Sequence, residues 1–211
     1  MKIIHNIIFF LALASFYIPY ATSSNDFCVA NLLLPTTPSG YQCKSEDNVT
    51  VNDFVFSGFV APKTEDPFKV GFTSAFVTEL PALNGLGVSA VKAAMDINGT
   101  VPIHSHPDAT ELIINYEGEV TAGFITPNKV YIKVLKPGDV MVIPKGLLHF
   151  LVNTSGKKGT GFAVFSSSNP SVQLFDNLLF GNDLSSSIIA QTTLLDVSQI
   201  KKLKAVFGGS G

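Results

Sequence analysis

Arginine and tryptophan are absent from this 211-residue chain, and charged residues make up only 14% of it. Soluble domains usually contain about 25% charged residues. All 14 basic residues are lysines, against 16 acidic residues, and the formal net charge is −2. This balance provides no basic surface for nucleic acid, and no guanidinium group can clamp a phosphate or a dicarboxylate. A surface so poor in charge favours extensive subunit contacts, so we expect a homo-oligomer and no nucleic-acid partner.

Long hydrophobic runs are also scarce, and the one at the N-terminus predicts export. Lys2 precedes an apolar run from Ile3 to Ile18, and small residues follow from Ala21 to Ser24. This pattern is typical of a secretory signal peptide, here residues 1–23. A transmembrane anchor is the alternative, but the run is short and Pro19 ends it. We therefore expect a secreted protein without a transmembrane segment.

Only two cysteines are present, Cys28 and Cys43. In an exported protein, a small and even number of cysteines favours a disulfide, here one that closes the N-terminal segment. The rival interpretation, that the cysteines bind a metal, is disfavoured because neither lies near the histidines in sequence. The disulfide would leave no thiol for nucleophilic catalysis.

Histidine is rare as well, since the chain has four. His104 and His106 are two residues apart, so on an extended strand both side chains leave the same face. Glu111 begins the next predicted strand, and His149 lies in a later one. Three imidazoles and one carboxylate suit Mn, Fe, Ni, Cu or Zn better than Ca or Mg. His5 lies in the predicted leader, so every histidine of the mature protein belongs to this set. That favours a metal site over core or surface histidines without a metal.

From Val49 to Phe165 the sequence is typical of short β-strands. Runs rich in Val, Ile, Phe and Thr are interrupted by Gly, Pro and Asn at intervals of about ten residues. Closing such strands into a jelly-roll barrel removes the sheet edges and leaves an interior that can hold a ligand. The clearest predicted strands are Gly87–Ile97, Glu111–Ile125, Val130–Leu135, Val140–Ile143, His149–Val152 and Gly161–Phe165. The apolar residues expected to line the barrel near the histidines are Ile103, Ile113, Met141, Ile143 and Phe150.

After Asn169-Pro170 the pattern becomes helical. Apolar residues recur at helical spacing from Val197 to Phe207, and Gly208 follows as a stop signal. Asp196 and Gln199 predict a capping pair at the start of this helix. The expected organisation is a leader (1–23), a disulfide-pinned N-terminal extension (24–54), a β-barrel (55–168) and a C-terminal helical oligomerisation segment (169–211).

The last helix is expected to be amphipathic. Lys201, Lys202 and Lys204 should form a solvated face near its C-terminus, where cations suit the helix dipole. We expect its apolar face, together with Val172–Phe180, to pack against a neighbouring subunit.

Three Asn-x-Ser/Thr sequons begin at Asn48, Asn98 and Asn153. In an exported protein each is a candidate for N-glycosylation. Asn48 is the best placed, in a polar turn before a strand, whereas a glycan on Asn98 would lie near the histidine loop. Asn153 is the least favoured, because it ends a motif and is expected to have a structural role.

The two histidine stretches resemble the paired motifs of plant germins and germin-like proteins, which belong to the cupin superfamily. The first motif matches from His104 to Gly118, although its leading glycine falls one place late, at Gly99. The second matches from Gly138 to Asn153 without exception. Gly146–Phe150 and Ile200–Lys204 especially resemble the germin-like subgroup described as auxin-binding proteins. The resemblance covers essentially the whole mature chain and extends to three further segments, Asp26–Ala30, Asn84–Ser89 and Ile189–Leu194.

This resemblance implies a cupin β-barrel with one manganese ion per subunit. It also implies a homohexamer, assembled as a trimer of dimers through C-terminal helices, in the apoplast or cell wall. Manganese can alternate between two oxidation states, so the resemblance implies superoxide dismutase activity, with superoxide or another small molecule as substrate. The ligands that the resemblance implies are His104, His106, Glu111 and His149.

Oxalate oxidation, the activity of the founding germins, is not expected. Those enzymes hold oxalate with asparagine at two positions, where Val91 and Val101 stand in this chain. Valine supplies no hydrogen-bond donor to a small dianion. Two further functions remain open: an extracellular auxin-binding or receptor-like protein in which the metal is structural, or a cupin enzyme acting on a specialised plant metabolite.

Overall fold

The computed structural model describes residues 26–211, so the predicted leader and His5 lie outside the described part of the chain. This part is mostly β-structure followed by three α-helices, which confirms the predicted all-β class with C-terminal helices. None of these helices is both long and apolar enough to cross a bilayer. The strands are β1 Val70–Ala75, β2 Ser89–Met95, β3 Thr100–Ser105, β4 Glu111–Glu117, β5 Val120–Ile125, β6 Val130–Leu135, β7 Val140–Ile143, β8 His149–Val152, β9 Gly159–Phe165 and β10 Gln173–Leu174. The helices are α1 Phe175–Phe180, α2 Ser186–Thr193 and α3 Val197–Phe207.

The strand predictions hold best where glycine and proline mark both ends of a run. β6, β7 and β8 have the predicted bounds. The predicted run Glu111–Ile125 is instead two strands, because Gly118 turns the chain with a φ of 77°. A Cβ at Gly118 would lie 2.8 Å from the Lys158 carbonyl oxygen, so glycine satisfies both the positive φ and the close approach.

Two five-stranded antiparallel sheets face each other. Their strand orders are β1-β2-β9-β4-β7 and β10-β3-β8-β5-β6. Side chains alternate along each strand, so one face of each sheet points toward the other sheet. Ile113 and Ile143 from the first sheet pack there with Ala122 and Leu135 from the second, and none of the four is more than 5% exposed. The two sheets therefore share one interior, into which the histidine motifs also project.

The N-terminal extension carries the predicted disulfide, and Cys28 and Cys43 are indeed bonded to each other. Asn84, in the loop before β2, is 6% exposed. Its side-chain amide donates to the Tyr41 carbonyl oxygen at 2.9 Å and lies 3.1 Å from Cys28 Sγ. The disulfide-bonded segment is thereby fastened to a loop of the barrel.

The C-terminal helices form their own apolar cluster. α3 has the predicted bounds and ends at Gly208, whose φ is 76°. The Asp196 side chain makes no capping hydrogen bond, so the predicted capping pair is wrong. Part of the apolar face of α3 packs within the chain, whereas Val197 and Val206 of the same helix are exposed, so packing against a neighbouring subunit stays a prediction. Ile200 packs within the chain, against Phe180 of α1 and Ile189 of α2.

The predicted exposure of Lys204 is wrong. Lys201 and Lys202 are exposed as predicted, but Lys204 is only 3% exposed. Its ammonium group points into the loop between α1 and α2 and toward the C-terminal tail, where it satisfies backbone carbonyl groups. Lys204 Nζ donates to the carbonyl oxygens of Asn182, Leu184 and Ser210.

Candidate metal centre

Four buried side chains meet between the two sheets. β3 and β8 pair so that His104 lies opposite His149, with ring centroids 3.9 Å apart. His106 follows directly after β3, and Glu111 opens β4 in the opposite sheet. The four residues are 1% to 7% exposed, and their ligand atoms all lie within 4.8 Å of one another. The structure thus brings together the whole set that was singled out from the sequence.

Each imidazole is oriented by a hydrogen bond between its Nδ1 and a backbone carbonyl. With the proton on Nδ1, a neutral imidazole keeps its Nε2 lone pair free for a metal. Such hydrogen bonds are typical of metal-binding histidines, because they set the tautomer and the ring orientation. The acceptors are the carbonyl oxygens of Pro102 for His104 (2.8 Å), Ser171 for His106 (2.6 Å) and Leu147 for His149 (2.9 Å).

The spacing of the donor atoms fits a single metal ion. Glu111 Oε2 lies 2.8 Å from His149 Nε2 and 3.5 Å from His106 Nε2. Two ligand atoms that bind one transition-metal ion at about 2.1 Å lie roughly 3 to 4 Å apart. The mixed nitrogen and oxygen set also suits such an ion better than Ca or Mg. The residues present can therefore hold a transition metal.

Burial favours the neutral form of the histidines. It lowers the pKa of His104 from 6.5 to about 4, and repulsion from His149 acts in the same direction. Burial likewise lowers the pKa of His106. A metal competes with protons for these nitrogens, so the lowered pKa values keep the ligands available in mildly acidic solution.

The same burial predicts a pH dependence of the metal-free protein. His104 has a lower pKa in the folded state than in the unfolded chain, so the unfolded chain takes up the proton first as the pH falls. The free energy of unfolding should therefore decrease between pH 6.5 and about 4, by on the order of 3 kcal/mol. Urea unfolding in the presence of a chelator measures this change. A His104→Gln variant should lose less stability over the same range, and an equal loss in both proteins would contradict the assignment.

A cavity of about 380 Å³ adjoins His104, His106 and Glu111. Its volume lies within the range of small-molecule sites. Glu111 is the sole carboxylate in the lining, and no lysine lies there. Val91 and Val101 line it as well. Each is the inward-facing residue of its strand that comes next to the layer of candidate ligands. The wall beside the ligands is mostly apolar, including Ala93, Met95, Ile113, Leu151 and Phe165.

The predicted lining is only partly correct. Three of the five residues lie on the interior side: Ile113, Met141 and Ile143. Ile103 is instead 38% exposed. Phe150 follows the inward-facing His149 on β8, and because side chains alternate it faces outward.

The sequence reasoning did not single out Asp108 or the serines that it contacts. The Asp108 carboxylate accepts hydrogen bonds from the Ser167 hydroxyl at 3.0 Å and from the Ser171 N–H at 2.9 Å. One signal was available, since Asp108 lies only two residues beyond His106. The serines are about 60 residues further along the chain, so no local pattern connects them with it.

The three sequons differ in accessibility. Asn48 is exposed, and Asn98 is exposed in the turn before β3 with a φ of 62°. Asn98 precedes β3 and His104 lies near the far end of that strand, so the nearness of an Asn98 glycan to the histidine loop stays a prediction. Asn153 is 1% exposed, and its side-chain amide donates to the carbonyl oxygens of Asp96 and Lys157. That nitrogen therefore has no room for a sugar.

Comparison with known proteins agrees with the resemblance seen in the sequence. The model of the Cupin family matches residues 59–201. The chain is 46% identical over 204 residues to auxin-binding protein ABP19a of Prunus persica, covering 96% of both chains. It is 46% identical over 188 residues to a germin-like protein of Morus alba, covering 88% of this chain and 90% of the relative. An oxalate oxidase structure in complex with the substrate analogue glycolate matches with a TM-score of 0.83 at 30% identity, over 87% of this chain and 96% of that chain.

Proposed function

The chain belongs to the germin-like proteins of the cupin family, and from that membership we propose that it is a manganese-dependent superoxide dismutase. The observation that supports this most is the buried cluster of three imidazoles and one carboxylate. Each imidazole is held by a backbone carbonyl in the orientation that leaves Nε2 for the metal. A manganese ion held by these ligands would supply reversible one-electron chemistry. One superoxide would give up an electron and become oxygen, and a second would take up that electron with two protons from water and become hydrogen peroxide.

The chain's own residues have three roles in this proposal. The four ligands, His104, His106, Glu111 and His149, bind the ion, and they leave positions open if it is six-coordinate. Zinc prefers four-coordinate closure and suits the site less well. The apolar wall next to the ligands limits the water that reaches the ion, while the cavity admits a small diatomic substrate.

Export and assembly complete the proposal. The leader pattern and the Cys28–Cys43 disulfide support secretion to the apoplast or cell wall, with Asn48 and Asn98 as the glycosylation candidates. Apolar residues on the outer faces of the sheets and on α1 support a homo-oligomer, which we propose is a hexamer. Those at least 50% exposed include Val130, Ile132, Val140, Val142 and Leu178.

Oxalate oxidation is not part of this proposal. Val91 and Val101 are 7% and 8% exposed, and both line the cavity beside the ligands. A small dianion placed there would meet aliphatic side chains instead of amide donors, which is unfavourable because a buried charge needs hydrogen-bonding partners.

Binding of an apolar small molecule is the second candidate function. The cavity of about 380 Å³ favours it, because its mostly apolar wall suits an aromatic or aliphatic body. The Prunus persica relative is named for binding auxin. In a binding protein of this kind the metal would be structural or would orient the ligand. An enzyme acting on a specialised metabolite would use the same cavity.

Metal analysis and superoxide assays on the secreted protein test the first candidate. We expect about one manganese per subunit, superoxide removal that a chelator abolishes and manganese restores, and no peroxide from oxalate. A filled site without dismutation would contradict the enzyme and favour the binding role. Peroxide formation from oxalate at a substantial rate would overturn the exclusion of oxalate, and a protein that takes up no metal would remove the basis of the proposal.

A further inference from the structure

A carboxylate that is not one of the four candidate ligands lies close to them in the chain. Asp108 is in the turn that follows His106, and its oxygens accept hydrogen bonds from Ser167 and Ser171. We propose that Asp108 is a positioning residue that holds His106 in its metal-binding orientation by way of Ser171. This inference rests on the proposed metal site and adds a determinant of its affinity.

Ser171 is held from both sides by the loop that carries His106. Its N–H donates to Asp108 Oδ1 at 2.9 Å, and its carbonyl oxygen accepts from His106 Nδ1 at 2.6 Å. The N–H and the carbonyl group of Ser171 belong to adjacent peptide planes that meet at its Cα. Holding the N–H therefore holds that Cα in place and limits where the carbonyl oxygen can lie. Asp108 thus acts on the imidazole without touching it.

The segment that contains Ser171 runs alongside the first histidine motif. This segment, residues 166–172, is called the strap here, and it joins β9 to β10. At one end, Ser166 exchanges two hydrogen bonds with Thr110, at 2.8 and 3.0 Å. At the other end, Leu174 of β10 pairs with His104 of β3. Between these ends, the carbonyl oxygens of Ser167 and Ser168 accept from the Ser89 hydroxyl and the Val77 N–H. Asp108 adds the contact that holds the N–H of Ser171.

Without Asp108, the Ser171 carbonyl would be less restrained. Ser171 is exposed, so water can compete for its N–H and its carbonyl oxygen. His106 Nδ1 would then lose a fixed acceptor, and the ring could rotate or carry its proton on Nε2, where it cannot bind a metal. Loss of such an outer contact typically lowers metal affinity by about 10- to 100-fold.

Two substitutions separate the hydrogen bonds of Asp108 from its charge. In Asp108→Ala both acceptors disappear. In Asp108→Asn the amide oxygen still accepts from Ser171, and the amide nitrogen can donate to the Ser167 hydroxyl. Asp139→Ala is the matched control, because Asp139 also caps a turn, accepting from the Lys136 N–H at 2.9 Å, but it lies between β6 and β7.

Two readouts that do not depend on enzymatic activity are needed. Competition with a chelator gives the manganese dissociation constant, and ¹⁵N NMR of the metal-free protein shows which nitrogen of His106 carries the proton. We expect Asp108→Ala to weaken binding by at least about 10-fold and to increase the Nε2–H form of His106. Asp108→Asn and Asp139→Ala should stay within about threefold of the wild type, which is below the range for a lost outer contact.

Two results would overturn the inference. One is an Asp108→Ala variant with wild-type affinity and a wild-type His106 spectrum. The other is an Asp108→Asn variant as impaired as Asp108→Ala, which would assign the effect to charge. If Asp108→Ala does not fold, Ser167→Ala can be used instead, because it removes one of the two contacts of Asp108. It should weaken manganese binding by a smaller factor, and an unchanged dissociation constant would contradict the inference. A protein that binds manganese without dismuting superoxide would refute the proposed enzyme and leave this test intact.

Discussion

His149→Ala is expected to abolish stable metal binding and, with it, superoxide removal. His149 is 1% exposed, and its Nε2 lies 2.8 Å from Glu111 Oε2. The variant would leave two imidazoles and one carboxylate around an empty volume that water can enter. Substitution of an outer-shell partner already costs about 10- to 100-fold in affinity, so loss of a ligand should cost more than about 100-fold. Chelator competition and metal analysis of the purified variant measure this loss.

Val152→Ala is the matched control for this substitution. Val152 is on the same strand, three residues further along, and faces outward because side chains alternate. It should retain about one metal ion per subunit. If His149→Ala bound manganese as tightly as the control, the cluster would not be the metal site.

Lys204→Met is expected to destabilise the C-terminal helices more than any surface lysine substitution. The Lys204 ammonium is buried and donates to three backbone carbonyls. Methionine fills a similar volume but donates no hydrogen bond, so the carbonyls of Leu184 and Ser210 lose this donor, whereas the Asn182 carbonyl keeps the Ser210 N–H. A hydrogen bond to a charged group contributes about 1.5–3 kcal/mol. A total of about 3 kcal/mol would lower the thermal midpoint by roughly 6 to 12 °C in a domain of this size.

Lys201→Met provides the comparison. Lys201 is exposed on the same helix, and such surface substitutions usually change stability by less than about 0.5 kcal/mol. Thermal and urea unfolding of both variants, with the metal removed, measure the difference. Equal stabilities would show that the carbonyl contacts of Lys204 contribute nothing to the fold.

The sequence by itself determined the local features of this protein. The bounds of β6, β7, β8 and α3 follow from apolar periodicity between glycine and proline residues, and periodicity is a property of neighbouring residues. The four candidate ligands were identifiable for a similar reason. Histidine is rare in this chain, and the two-residue spacing of His104 and His106 places both side chains on one face of a strand.

Only the tertiary structure decided the features that depend on contacts between distant segments. Lys204 has the spacing of a solvated helix face, yet the α1–α2 loop and the C-terminal tail bury it. The sequence predicted a structural role for Asn153, but only the fold shows which groups its amide contacts, the carbonyls of Asp96 and Lys157. Asp108 reaches serines that no sequence period relates to it. Burial and long-range hydrogen bonding are set by how the sheets and helices pack, and this packing brings together residues whose positions in the sequence are independent of one another.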